Sequence, residues 1–275
     1  MNVVRFRPRS PALAPFISSM GYLEGEFPHR RERVLPTGTA QLLVNLGRDA
    51  LHSAPEGLPP TRTGGAALQG PRTRSAVADT ADQRAILWVA FRPGGAAPFF
   101  PGLVETSDLL VPLDAVWGGR GAVLRERLLA ARTPEAMREA VESALLSAGE
   151  PPRPDPALAV AVAALHHGAT VAEAADRLGW TTKRLVRLFH ARVGLAPKTF
   201  ARVRRFQRLL AAAATSRTGG DWARLAAECG YHDQAHMIHD FHAFAAQRPG
   251  TYAPRSAAER NHVPFLQSEG SASAR

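Results

Sequence analysis

The chain has 275 residues, with 34 Lys or Arg against 24 Asp or Glu, a formal net charge of +10 and one cysteine. That length accommodates one large or two medium domains with cores of their own. A lone cysteine excludes an internal disulfide framework and a cysteine-held structural zinc. No eighteen apolar residues run together and no signal-peptide core opens the chain, so a soluble, cytoplasmic protein without a membrane partner is expected.

The charge is uneven. Residues 1–152 carry 17 Arg against 15 acidic residues, whereas 153–260 carry 16 Lys or Arg against 8 acidic ones. A basic half on a near-neutral one points to a polyanion partner, because neutralised phosphates release counterions and drive association.

The first hundred residues alternate in hydropathy. Val3, Val4 and Phe6, then Met20, Tyr22 and Leu23, then 41–46 and 86–91 form short runs between Pro and Gly clusters, the pattern of strands in a barrel or sandwich. Residues 52–66 read as a loop from composition. From Gly119 the period becomes helical: Val123, Leu124, Leu128 and Leu129 share one stretch, and Pro134 opens a second helix through Met137, Val141 and Leu145. These helices suit either packing on the β-domain or dimerisation. The run EPPRPDP at 150–156 breaks any helix and marks a domain boundary.

Beyond the break lies an internal repeat. Val171, Ala174, Ala175, Leu178, Gly179 and Trp180 align with Trp222, Leu225, Ala226, Cys229, Gly230 and Tyr231 at a constant offset of 51. Each copy places apolar residues at i, i+3, i+4 and i+7 and ends in a glycine suited to a tight turn. A second helix follows each turn. In the first copy Thr181 or Thr182 can cap it, Leu185, Leu188 and Phe189 face inward, and Lys183, Arg184 and Arg187 project. In the second, Asp233 can cap, Met237, Phe241 and Phe244 face inward, and Gln234, His236 and His239 project. Helix, glycine turn, helix with a polar exposed start is the geometry that lays a second helix in a major groove. Between the units, 196–213 forms a long helix with Phe200, Val203, Phe206 and Leu210 on one side and Lys198, Arg202, Arg205 and Arg208 in a basic stripe on the other, of which Lys198, Arg202 and Arg205 are expected to contact DNA.

Region 153–255 resembles the AraC-type regulators, most specifically over GYHDQAHMIHDFHAFAAQRPGTY at 230–252. The N-terminal part is similar to the uncharacterised domain that often precedes such a module, over LPTGTAQLLVNLG (35–47), LQGPRT (68–73) and VAFRPGGAAPFF (89–100). The resemblance implies DNA contacts from Thr182, Lys183, Arg184, Val186 and Arg187 in the first unit and from Gln234, Ala235, His236, Ile238 and His239 in the second. Arg187 can take guanine O6 and N7 bidentately, and Gln234 can read adenine. His239 and His242 depart from the family, which has basic residues there, and a neutral imidazole does not replace a guanidinium at a phosphate.

The expected fold class is α+β. A β-rich barrel- or sandwich-like N-terminal domain with trailing helices (1–150) precedes an all-α domain of two helix-turn-helix units joined by a long helix (153–255), with a frayed tail at 256–275. No catalytic, cofactor or metal site is expected. His232, His236, His239 and His242 have ligand spacing, but the matching family positions contact DNA. Cys229 occupies a core position, His166 and His167 end a helix, Asp79 and Asp82 suit a solvated turn, and FRPGG at 91–95 lacks a phosphate-loop lysine. Trp88 and Phe91 alternate with Leu87 and Val89, so one pair lines a pocket and the other packs; which pair stays open.

The expected function is a sequence-specific transcription regulator whose partner is double-stranded DNA. A small-molecule effector or self-association through the N-terminal domain controls it, RNA polymerase is an admissible partner, and the protein is a monomer or homodimer. The alternatives are a DNA-modifying enzyme with a DNA-targeting tail, which needs a reactive cysteine outside the helix-turn-helix, and a ligand-free constitutive DNA-binding protein.

Overall fold

A computed structural model describes residues 1–148, 153–215 and 221–265. The break expected at 150–156 therefore falls partly, and the segment 266–275 wholly, outside the described residues. The N-terminal half is built on strands β1 (Asn2–Phe6), β2 (Ile17–Glu24), β3 (Arg31–Val34), β4 (Gln41–Asn45), β5 (Leu51–Pro55), β6 (Thr61–Thr63), β7 (Ala66–Gln69), β8 (Ala76–Asp79), β9 (Ala85–Phe91) and β10 (Leu110–Pro112). They form two facing antiparallel sheets, and a short β11 (His262–Pro264) joins the second. One sheet has the order β1-β2-β9-β4-β7-β10 and the other β11-β3-β8-β5-β6.

The period of two assigns each sheet face. Leu87, Val89 and Phe91 of β9 pack with Leu42, Val44, Leu68 and Met20 in one core, while Ile86, Trp88 and Ala90 look toward the second sheet. Phe91 thus shares the face of Leu87 and Val89, and of the residues left open on this strand Trp88 faces the cavity. Helices α1 (Leu113–Trp117), α2 (Arg120–Ala130) and α3 (Pro134–Leu146) cover the first face. Leu124, Leu128, Val141 and Leu145 close its core, so these helices pack on the β-domain. Thr133 caps α3 through the Ala136 N–H, with Pro134 in the first turn, where its missing N–H costs nothing.

Two expectations are corrected here. Residues 52–66 are not a loop: β5 and β6 form a hairpin turning at Gly57, which has φ +72°. Alternate residues Leu51, Ser53 and Pro55 are buried, and this inward face outweighs the turn-forming composition. Asp82 is not a solvated turn residue. It is 4% exposed and accepts from both the backbone N–H and Nδ1 of His52, at 2.8 Å each, tying the hairpin to the turn after β8.

The C-terminal half is helical: α4 (Pro156–His166), α5 (Val171–Asp176), α6 (Thr182–Arg192), α7 (Pro197–Thr215), α8 (Trp222–Glu228) and α9 (Gln234–Ala245). Phe189 and Phe200 centre one core with α4 and α5, and Phe206, Phe241 and Phe244 centre another with α8. After α9 the chain does not fray over 256–265. Val263 is buried, and His262, Val263 and Pro264 pair with Val34, Arg33 and Glu32 of β3. A strand partner and an apolar pocket hold a segment whose composition alone suggested a tail.

Candidate nucleic-acid interface

Each unit is set by the same local chemistry. Thr170 and Glu173 form a reciprocal capping box on α5, and Asp221 caps α8. Both first helices close on a left-handed glycine, Gly179 (φ +64°) and Gly230 (φ +79°). The turns share their hydrogen bonds: the Trp180 N–H donates to the Ala175 carbonyl and the Tyr231 N–H to that of Ala226, both at 3.0 Å. The offset of 51 seen in sequence is thus a repeat in space. Thr181 then caps α6 and Asp233 caps α9 through the N–H groups of Arg184 and His236, one residue further on in the second copy.

These caps decide which residues face out. In α6, Leu185 and Phe189 are fully buried, whereas Thr182, Lys183, Arg184 and Arg187 are exposed and Val186 is half-buried. In α9, Met237 and Phe241 are buried, whereas Gln234, Ala235, Ile238 and His239 are exposed and His236 is half-buried. Ile238 is 41% exposed, which an apolar residue in a monomer core would not be. Each second helix therefore presents its N-terminal turns to solvent. Arg184 lies 3.9 Å over the Trp180 ring, and His236, one register step later in the second copy, meets the Tyr231 ring edge-on at 5.3 Å.

The basic stripe of α7 behaves differently. Lys198 is exposed, but Arg202 and Arg205 turn toward α9 and grip one carboxylate, Asp240, at 2.6 and 2.8 Å. Asp240 is 1% exposed, and Arg205 also meets His236 Nε2 at 2.9 Å and lies 4.4 Å over the Tyr231 ring. Arg208 donates to the carbonyls of His166, at the end of α4, and Cys229, at the end of α8, where cations offset the helix dipole. The central helix is packed on nearly every side, so its arginines brace both units. Asp240 escaped the sequence reading although the signal was present: it sits in the stripe Met237, Asp240, Phe241, Phe244, where an acidic residue must find a partner.

The remaining candidates fall into place. His236 is committed to Arg205 and His232 to Asp233, and among the described residues no three His, Cys, Asp or Glu gather as metal ligands. Cys229 is buried, and burial pushes its thiol up, away from the nucleophilic thiolate. FRPGG is a turn whose Gly94 (φ +79°) lies so close to Leu158 of α4 that a Cβ would stand 2.3 Å from its Cδ2.

The second unit is also gripped by the N-terminal domain. Leu35 is 1% exposed within the core of α7 and α9, and Gln207 donates to the Pro36 carbonyl. Arg33 donates to the carbonyls of Ala245 and Ala246 at the end of α9, at 3.0 and 2.9 Å. Gly38, at φ +71°, lets this wedge pass Val203.

Two helix-turn-helix units with exposed second helices, braced by a shared central helix, define a DNA-binding regulator. Residues 174–255 match the family described as a helix-turn-helix domain. Residues 4–109 match a domain of unknown function, DUF6597. No curated protein matches the chain. Among solved structures the fold is similar to ToxT from Vibrio cholerae O395, at 8% identity over 86% of this chain and 96% of that one, with a TM-score of 0.45. It is similar at 12% identity to the same protein bound to (E)-4-(8-methylnaphthalen-1-yl)but-3-enoic acid, over 86% and 98% with a TM-score of 0.48. For unsaturated fatty acid bound ToxT from strain SCE256 the values are 7%, 85%, 92% and 0.44. Among the described residues no helix is long and apolar enough to cross a membrane.

Proposed function

We propose that this regulator binds its operator sequence-specifically by laying α6 and α9 in successive major-groove turns of one duplex face, under control of the N-terminal domain. The observation that carries the reading is the shared exposure of the N-terminal turns of both helices on a repeated frame. In α6, Lys183 and Arg187 reach base edges, Thr182 and Arg184 stand at the groove wall, and Val186 offers a thymine-methyl contact. In α9, Gln234 reads an adenine, Ala235 and Ile238 supply apolar contact, and His236 and His239 flank the backbone. Lys198 is the phosphate contact of α7, while Arg202 and Arg205 act on DNA through the placement of α9.

No step of this reading is catalytic: a DNA-modifying enzyme with a targeting tail needs a reactive thiol outside the helix-turn-helix, and the single cysteine is buried within it. The N-terminal domain supplies control by an effector or by self-association, and the regulator acts on RNA polymerase as monomer or homodimer. Selection of duplexes from a random pool by the full chain should yield a two-part site with half-sites about one helical turn apart. Arg187→Ala should then lose about 1–3 kcal/mol of preference for that site over random duplex. A selected pool without a consensus, or unchanged preference in the variant, refutes the reading.

A further inference from the structure

We infer that the hold of the second unit on a duplex is switched by protons on His239 and His242, so that α6 grips DNA at any physiological pH and α9 joins it in mild acid. The inference rests on the DNA-binding reading above and adds an input, pH, that acts on the reading helix itself. It starts from the internal repeat. Beyond the turns the two units correspond at an offset of 52, the spacing of their caps Thr181 and Asp233. Where α6 carries the fixed cations Lys183, Arg184 and Arg187, α9 carries Ala235, His236 and His239.

The two units differ in the sign of their charge. Residues 170–195 hold five Lys or Arg against Glu173 and Asp176, a formal +3. The equivalent residues 221–246 hold Arg224 against Asp221, Glu228, Asp233 and Asp240, a formal −3 with neutral imidazoles. Arg224 is held between Asp221 and Glu228, and α9 has no Lys or Arg of its own. Charge of that sign repels the phosphates that a groove-reading helix must approach. The four histidines at 232, 236, 239 and 242 are the groups able to reverse it, because imidazole changes charge between pH 5 and 8.

Their surroundings separate the four. His232 lies 3.0 Å from Asp233, so a proton there is balanced by the cap carboxylate. His236 Nε2 accepts from Arg205 at 2.9 Å and cannot keep that bond with a proton of its own. His239 and His242 are exposed, one turn apart on one side of α9, and make no hydrogen bond or ion pair among the described residues. Charged groups on the elements packed against α9 are already engaged: Arg202 and Arg205 of α7 with Asp240, Glu228 of α8 with Arg224, and Arg33 with the carbonyls of Ala245 and Ala246. Cys229 and Tyr231, both pushed up by burial, stay neutral, and Arg248, past the helix, is exposed. A proton on His239 or His242 therefore adds an uncompensated cation to the second unit. His190, the equivalent of His242 in α6, adds only to a surface that is already positive. Since DNA favours the protonated form, affinity rises as pH falls.

The test follows the full chain by fluorescence anisotropy on the selected two-part duplex and on random duplex, from about pH 8 to about pH 6 at fixed ionic strength. Affinity for the selected duplex should rise at least about tenfold. The dependence of log affinity on log salt should steepen by up to about two phosphate contacts, and the footprint should extend from the half-site of α6 to both. Replacing both histidines by Gln should fix the weak state at every pH, and replacing both by Arg should fix the tight one. Because the two double variants bracket the parent, titration of His29 or His262 against Glu32 does not mimic the pattern. A parent affinity flat with pH, or a pH dependence that survives in the double Gln variant, overturns the switch. Acid-strengthened binding that is equal on selected and random duplex condemns the sequence-specific reading alone. A preference for the selected duplex with no change across the range condemns the switch alone.

Discussion

Asp240 organises much of the exposed face of α9, because Arg202 and Arg205 hold it directly while His236 and the Tyr231 ring pack on Arg205. Its own charge is fully withdrawn from water, whereas Arg202 and Arg205 keep part of their guanidinium in solvent. Breaking such a pair leaves the buried partner uncompensated, so the costs are unequal. Replacing Arg202 and Arg205 together by Ala, which strips Asp240 of both partners, should destabilise by about 3–5 kcal/mol and Asp240→Ala by less, since the released arginines can rehydrate. Denaturant unfolding of the two variants checks the order, and equal midpoints would contradict it. His239, by contrast, is exposed at the position matching Arg187, so its replacement tests the proposed DNA contact and leaves the fold alone. His239→Arg should tighten operator binding and steepen the dependence of log affinity on log salt by about one phosphate contact. A slope identical to the parent would remove His239 from the interface.

At the scale of elements, legibility followed the range of the interactions. The helices of both units, their caps and their turns were readable because capping and left-handed glycines act within four residues. The hairpin β5–β6 and the strand β11 were not, since each exists through distant partners: Asp82 for His52, and β3 for residues 262–264. The same distance hid Glu32, which is fully buried and receives His262 Nδ1 at 2.6 Å, Gln83 Nε2 at 2.7 Å and Arg255 at 3.2 Å. Burial alone pushes this carboxyl up, but the His262 hydrogen bond and charge, Arg255 and Gln83 outweigh it and hold the group at about 2. A carboxyl depressed on folding stabilises fully above its ordinary value near 4.5 and loses that contribution as pH falls toward 2. Acid unfolding should therefore include release of β11 between those limits. In Glu32→Gln the acid-dependent step should disappear, while protease sensitivity around 255–262 should already be raised at neutral pH. A variant with the parent's acid profile and the parent's cleavage pattern would show that Glu32 does not hold the strap.

At the scale of the whole molecule, the two halves are joined unequally. The first unit meets the N-terminal domain near the ends of its helices, through Gly94 against Leu158 and the Ser107 hydroxyl donating to the Gly194 carbonyl. The second takes Leu35 into its core, receives Arg33 on the last carbonyls of α9 and continues into β11. The LPTG run that served in the sequence as a family resemblance is, in space, the wedge between the halves, a role no periodicity reveals because its contacts lie some 170 residues away in the chain. Removing a fully buried leucine costs about 2–5 kcal/mol, and here the cost falls on one reading helix and not the other. Leu35→Ala should thus lower hydrogen-exchange protection in α7 and α9 while leaving that of α4 to α6 close to the parent, and should weaken the half-site read by α9 selectively. Uniform loss across both units would mean that the halves open as one body, and the N-terminal domain could then only switch DNA binding on or off. Selective loss would mean that it grades the hold of the second unit while the first stays on the operator, so that transcription changes without release of the protein from DNA.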